Sequence, residues 1–235
     1  MEKIIEFIKK FFDSGENNEP KTGITIAEAK KLIEEAEAEK IITLDKELPL
    51  KMIIVSDNHG KEEQLEEVLT YYPDADCFLH CGDSNLEPDN ELMKQFIAVR
   101  GNTDYTENYP DEQKIKLASG EMIFIEHGHK SAVEHGPDRL IYNTMREAKE
   151  AKHVIALYGH THKVDVVTVE NLLVINPGSI KSPRDGVIKT YAKLEITQNE
   201  YHVQILDISN HHVVKEFNFD RVVDNPVGNS SEKPL

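Results

Sequence analysis

Lys51-Met52-Ile53-Ile54-Val55-Ser56-Asp57-Asn58-His59-Gly60 decides the fold class of this chain. Residues 52–55 form a short, unbroken apolar run, the pattern of a strand buried on both faces. The run stops at polar residues closed by a glycine. A helix is expected next, because Leu65, Val68, Leu69 and Tyr72 recur at i, i+3, i+4 and i+7. The same rhythm returns downstream. A strand at 77–80 ends at Cys81-Gly82-Asp83, and a helix near 90–94 leads into a strand at 96–99 ending at Arg100-Gly101-Asn102. Alternating strands and helices indicate an α/β fold. Polar residues just past the strand C-termini stand at the edge where open α/β sheets bind ligands.

Further strands are expected at 114–117, 122–126 and 154–157, with a helix over 137–152 between the last two. After Gly159 the apolar runs suit hairpins: 164–169 with 172–175, 191–196 with 201–206, and then 212–217. Residues 1–50 read differently. Ile4, Ile5, Ile8, Phe11 and Phe12 share one helical face, residues 15–23 break it, and 25–40 are rich in Ala, Glu and Lys. The expected organisation is a helical N-terminal extension over 1–50, a main domain over 51–218 and a loose tail over 219–235.

The net charge of −16 and the lack of a basic stripe argue against gripping a nucleic-acid backbone. No apolar run is long enough to cross a bilayer or to serve as a secretory core, so the cytoplasm is the expected compartment and no membrane partner is expected. Cys77 and Cys81 are too few for a disulfide framework and fall in an apolar run, as small buried side chains do.

The chemistry concentrates in Asp57-Asn58-His59, Gly82-Asp83, Gly101-Asn102, His127-Gly128-His129 and Gly159-His160-Thr161-His162. Each piece alone reads as a turn. Together they supply carboxylates, imidazoles and an amide, the donor mixture for borderline or hard divalent ions.

In this order the motifs resemble those of the calcineurin-like metallophosphoesterases. With Arg100-Gly101-Asn102-Thr103-Asp104 and Asn176-Pro177-Gly178-Ser179 added, they are similar to the small YfcE-like phosphodiesterases. The resemblance spans about residues 51–208. It implies a four-layer αββα sandwich of two mixed sheets flanked by helices. It also implies two divalent ions per chain, manganese first, with zinc, nickel or iron as replacements. Asp57, His59 and His162 would hold one ion, Asn102, His127 and His160 the other, and Asp83 would bridge them. The implied reaction is hydrolysis of a small phosphate ester, a diester before a monoester, by a hydroxide shared between the ions.

Larger relatives carry a histidine directly after Gly-Asn, where this chain has Thr103. Asp104 and His129 are the candidates to supply the missing proton. The alternative from another class is a metal-poor scaffold of the same fold that binds a protein partner, and a homo-oligomer is compatible with either reading.

Overall fold

Alternation of buried side chains in β2 (Leu50–Val55) explains the layering. Ile53 and Val55 pack with Leu65, Val68 and Tyr72 of the following helix, α1 (Glu62–Tyr71), and its C-terminal turn. Met52 and Ile54, on the opposite face, are equally inaccessible to solvent. The strand is therefore covered on both sides, as its unbroken apolar sequence requires. The computed structural model describes residues 41–148 and 151–221. The helices expected at 4–12 and 25–40, and the end of the expected tail, lie outside the described residues. The chain divides into two units, Met1–Ile42 and Thr43–Leu235.

The remaining strands are β1 (Ile41–Leu44), β3 (Cys77–His80), β4 (Phe96–Ala98), β5 (Glu112–Leu117), β6 (Glu121–Glu126), β7 (His153–Leu157), β8 (Val164–Val169), β9 (Leu172–Pro177), β10 (Thr190–Ile196), β11 (Glu200–Asp207) and β12 (Val213–Asp220). They form two six-stranded sheets, ordered β1-β5-β6-β7-β9-β8 and β12-β11-β10-β2-β3-β4. Each sheet has a parallel block of three strands: β6-β7-β9 is flanked on both sides by antiparallel strands, and β2-β3-β4 runs to the edge of its sheet and joins antiparallel β10 through β2. Helix α2 (Asp138–Glu147) covers the first sheet, its Leu140 packing with Phe124, Val154 and Val174. These are the two mixed sheets and flanking helices of the expected sandwich.

The two sheets are tied by a buried polar contact. Tyr201 of β11 donates to Glu121 of β6 at 3.2 Å, and Arg221 donates to the same carboxylate from 2.5 Å. Both cysteines are buried thiols, and burial pushes Cys77 up to about 12. No helix among the described residues is long and apolar enough to cross a membrane.

Three local expectations differ from the structure. The helix near 90–94 is a single 3-10 turn at Met93–Gln95. Helix α2 stops at Glu147, before the expected 152. Ile41–Leu44, inside the segment expected to be helical, is a strand at the sheet edge, where the Leu44 carbonyl accepts the Ala118 N–H at 3.2 Å.

Candidate metal centre

Five parallel strands deliver their C-terminal loops to one end of the sandwich. Asp57 and His59 follow β2, Asp83 follows β3, and Asn102 follows β4. From the other sheet, His127 follows β6, and His160 and His162 follow β7. One donor atom from each of Asp57, His59, Asp83 and His162 lies within 4.8 Å of the others. Beside them, the Asn102 Oδ1 lies 3.1 Å from His127 Nε2 and 2.8 Å from His160 Nδ1. Asp83 links the two groups, its Oδ2 being 3.9 Å from His59 Nε2 and 3.4 Å from His127 Nε2.

The backbone here is held in conformations that L-residues avoid. Asp57, His59, Asp83, His160 and His162 all have positive φ, between 42° and 65°. Such residues cost about 1–3 kcal/mol each unless their surroundings fix them. The fixing is visible. The N–H groups of Asp57, His59 and Gly60 donate to the carbonyls of Gly82, Asp83 and Ser84 at 3.1, 3.0 and 2.7 Å, zipping the β2 and β3 loops together. Buried Ser179 donates to the Asp57 carbonyl at 2.9 Å, and Asn176 donates to Gly159 at 2.8 Å. The Asn176–Ser179 turn thus braces two of the loops.

Two glycines are sterically required. Gly82 has φ +91°, and a Cβ there would stand 2.7 Å from His127 Nδ1 and 3.0 Å from the Gly101 nitrogen. A Cβ on Gly101 would overlap the Asp83 carboxylate and its backbone nitrogen.

The far nitrogens of the histidines are tied down, which fixes which nitrogen is free to act. His127 Nδ1–H donates to the Cys81 carbonyl at 2.7 Å and His162 Nδ1–H to the Ser182 carbonyl at 2.6 Å. His59 Nδ1–H donates to Asn85 Oδ1 at 3.1 Å. Each leaves an Nε2 lone pair facing inward. His160 is reversed: its Nδ1 faces Asn102, and its Nε2 lies 3.7 Å from a Glu134 carboxylate oxygen.

The result is a cluster of acceptors facing one another. His59 Nε2 and His162 Nε2 are 3.3 Å apart, and His162 Nε2 is 3.1 Å from Asp57 Oδ1. That buried oxygen has no hydrogen-bond partner, while its twin Oδ2 accepts Ser56 Oγ–H and the His160 N–H. Lone pairs this close repel unless a cation lies among them. The pKa directions agree. Burial disfavours the charged form of His127 and His162, yet neighbouring Asp83 and Asp57 raise both above the usual imidazole value. Burial also opposes ionisation of Asp83, but His127 and the Thr103 N–H hold its carboxyl well below the usual range. The donor set therefore fits divalent cations.

The model of the calcineurin-like phosphoesterase superfamily domain matches residues 50–199. The chain belongs to this superfamily. The "Probable metallophosphoesterase YsnB" of Bacillus subtilis is 31% identical over 159 residues, covering 67% of this chain and 91% of the relative. "Phosphodiesterase YfcE" of Escherichia coli is 25% identical over 174 residues, covering 62% and 88%. The crystal structure of a Streptococcus pneumoniae protein described as a predicted phosphoesterase has a TM-score of 0.68 at 33% identity, covering 75% of this chain and all of that one. The zinc complex of Vps29 from Entamoeba histolytica shares the fold at 18% identity and a TM-score of 0.56, covering 73% of this chain and 99% of that one.

The remaining candidates of this superfamily member fall into place around the seven donors. Asp104 takes four hydrogen bonds, Oδ2 from the N–H groups of Asp83 and Gly101 at 3.0 and 2.7 Å, Oδ1 from the Asn85 N–H at 2.6 Å and Ser84 Oγ–H at 3.1 Å. All its lone pairs are engaged in holding loops. The His129 ring lies 5.4 Å from that of His127 and 6.2 Å from that of His160, with its buried Nδ1 unpartnered. Burial and the neighbouring His127 lower its pKa. His80 touches the site through backbone: its Nε2–H donates to Asn58 Oδ1, its Nδ1 accepts the Gly82 N–H, and burial pushes it down to about 4. Asn85 and Glu134 were not legible as participants. Asn85 lies in the loop after β3 and Glu134 in the 3-10 turn Val133–His135, and neither has a motif of its own.

Proposed function

We propose that this chain is a metal-dependent phosphodiesterase for small substrates, using two divalent cations. Asp57, His59 and His162 hold one, Asn102, His127 and His160 the other, and Asp83 both. The observation that carries this reading is the partnerless buried Asp57 Oδ1 facing the Nε2 atoms of His162 and His59, which are themselves fixed as acceptors. The phosphodiesterase names of YfcE and of a Methanocaldococcus jannaschii relative support a diester substrate. Manganese suits a set of oxygen and imidazole donors, with zinc, nickel or iron as replacements.

Bound cations would supply an activated water and positive charge against the phosphoryl oxygens. The chain supplies the rest. Asp83, 2% exposed, keeps its charge because Thr103 N–H donates to Oδ1 at 2.8 Å, leaving Oδ2 directed at both histidine groups. The Nδ1 anchors of His59, His127 and His162 prevent ring rotation. In the reaction, the water oxygen bonds to phosphorus and gives up a proton, the P–O bond to one arm breaks, and that arm's oxygen leaves as a hydroxyl carrying one proton in exchange. His129, whose pKa is lowered by burial and by the neighbouring His127, lies beside both His127 and His160 and would donate a hydrogen bond to a phosphoryl oxygen. We place the protein in the cytoplasm.

Turnover of bis(p-nitrophenyl) phosphate tests the proposal. It should vanish on chelation and return with manganese. Hydrolysis that survives complete metal removal would sink it.

A further inference from the structure

A cavity of about 390 Å³ opens beside His160 and Thr161, on the first sheet's side of the candidate metal centre. We propose that it binds one arm of the diester, and that this arm is a polyol or sugar carrying a second phosphate. The inference rests on the proposed phosphodiesterase function and names the substrate class of that same site.

The walls carry the argument. Four charged side chains face the cavity: Glu134, Asp165, Lys163 and Arg184. The two carboxylates are already placed. Glu134 lies 3.7 Å from His160 Nε2, and Asp165 accepts the Tyr158 hydroxyl at 2.6 Å. Each keeps lone pairs for hydroxyl donors, since a carboxylate accepts about four hydrogen bonds. The cations differ: no carboxylate lies within ion-pair distance of Lys163 or Arg184 among the described residues. Both are exposed side chains at the rim. Arg184 reaches the metal loops through its backbone, its N–H donating to the His162 carbonyl at 2.9 Å. Unpaired Lys and Arg beside a phosphate site are suited to a further anion, and Arg in particular to a phosphate.

The shape excludes other arms. The cavity offers no exposed tyrosine, tryptophan or phenylalanine face on which a nucleobase could stack, since Tyr158 is 2% exposed, and the His160 ring is engaged at both nitrogens by Asn102 and Glu134. Val133 and Pro137 give it a modest apolar side, too small for an acyl chain beside four charges. Hydroxyls for the carboxylates and a phosphate for the cations use all four charged side chains in the lining. A cavity of this volume accommodates a sugar phosphate.

The test compares glucose 1,6-bisphosphate with glucose 1-phosphate, binding to the manganese-loaded full chain by calorimetry. Metal content and bis(p-nitrophenyl) phosphate turnover are measured on the same sample. The second phosphate should tighten binding by roughly tenfold or more, the effect of charge-assisted hydrogen bonds partly screened by solvent. The double variant Lys163→Gln, Arg184→Gln should lose that difference and keep its metal. Both side chains are exposed, so folding should survive, which a thermal melt verifies. Equal affinities in the wild type overturn the inference, as does a difference that persists in the variant. If the wild type binds no metal and turns over no diester, the functional proposal itself fails, and this inference with it.

Discussion

Gly82→Ala isolates the dependence of the site on one backbone position. The new Cβ would stand 2.7 Å from His127 Nδ1, about 0.7 Å short of ordinary van der Waals separation, and 3.0 Å from the Gly101 nitrogen. Neither neighbour yields easily. The His127 nitrogen is held to the Cys81 carbonyl at 2.7 Å, and the Gly101 N–H to Asp104 at 2.7 Å. The native φ of +91° is also closed to alanine. Overpacking and backbone strain together should cost about 2–4 kcal/mol. For a chain of this size that is roughly 4–16 °C in Tm. A shift of the His127 ring exceeds the ~0.5 Å tolerance of a preorganised site, so activity should fall roughly 10²-fold even in the folded fraction. Thermal melting, manganese stoichiometry and diester turnover measured together check both parts. A Gly82→Ala protein with wild-type Tm and turnover would refute the steric reasoning.

Asp104→Asn replaces one of two fully engaged carboxylate oxygens with an amide that faces N–H donors. It should cost roughly 2–4 kcal/mol of stability, and turnover should fall by one factor for diesters of good and poor leaving groups alike, measured across a leaving-group series. A loss that grows with poorer leaving groups would mark Asp104 as the proton donor instead. Glu121→Gln breaks the buried pair with Arg221, at a cost of about 3–5 kcal/mol or roughly 6–20 °C in Tm. Burial opposes ionisation of Glu121, yet Arg221 and Ser119 lower its folded pKa below 4.5. The pair's stabilisation is therefore full above about pH 4.5 and is lost as pH falls through the lower folded value. Acid titrations of wild type and variant should converge at low pH.

The fold was legible where strands are buried on both faces, because that burial leaves unbroken apolar runs such as 52–55 and 154–157. It was less legible where an element is short. Ile41-Ile42-Thr43-Leu44 carries the β-branched residues of a strand, but it is four residues long and follows a stretch rich in helix formers, and its pairing at the sheet edge is what shows it. The 3-10 turn at Met93–Gln95 is one turn long, too short for periodicity to distinguish from a helix. For the candidate site, residue type and adjacent glycines pointed to the five polar segments, and the resemblance to the calcineurin-like metallophosphoesterases picked the seven donors out of them. The left-handed backbone of five of them had no signal in sequence. Neither did the anchors, since Asn85 on His59 and Glu134 beside His160 act through contacts between distant loops.

Metal content measured by elemental analysis, after reconstitution with manganese and removal of excess ion, tests the central claim most directly. The wild type should hold two ions per chain. Asp83→Asn keeps the shape of the side chain and removes the charge directed at both histidine groups, so it should lose at least one ion and roughly 10²-fold or more of the activity. Two ions retained by Asp83→Asn with normal turnover, or none held by the wild type, would contradict the account.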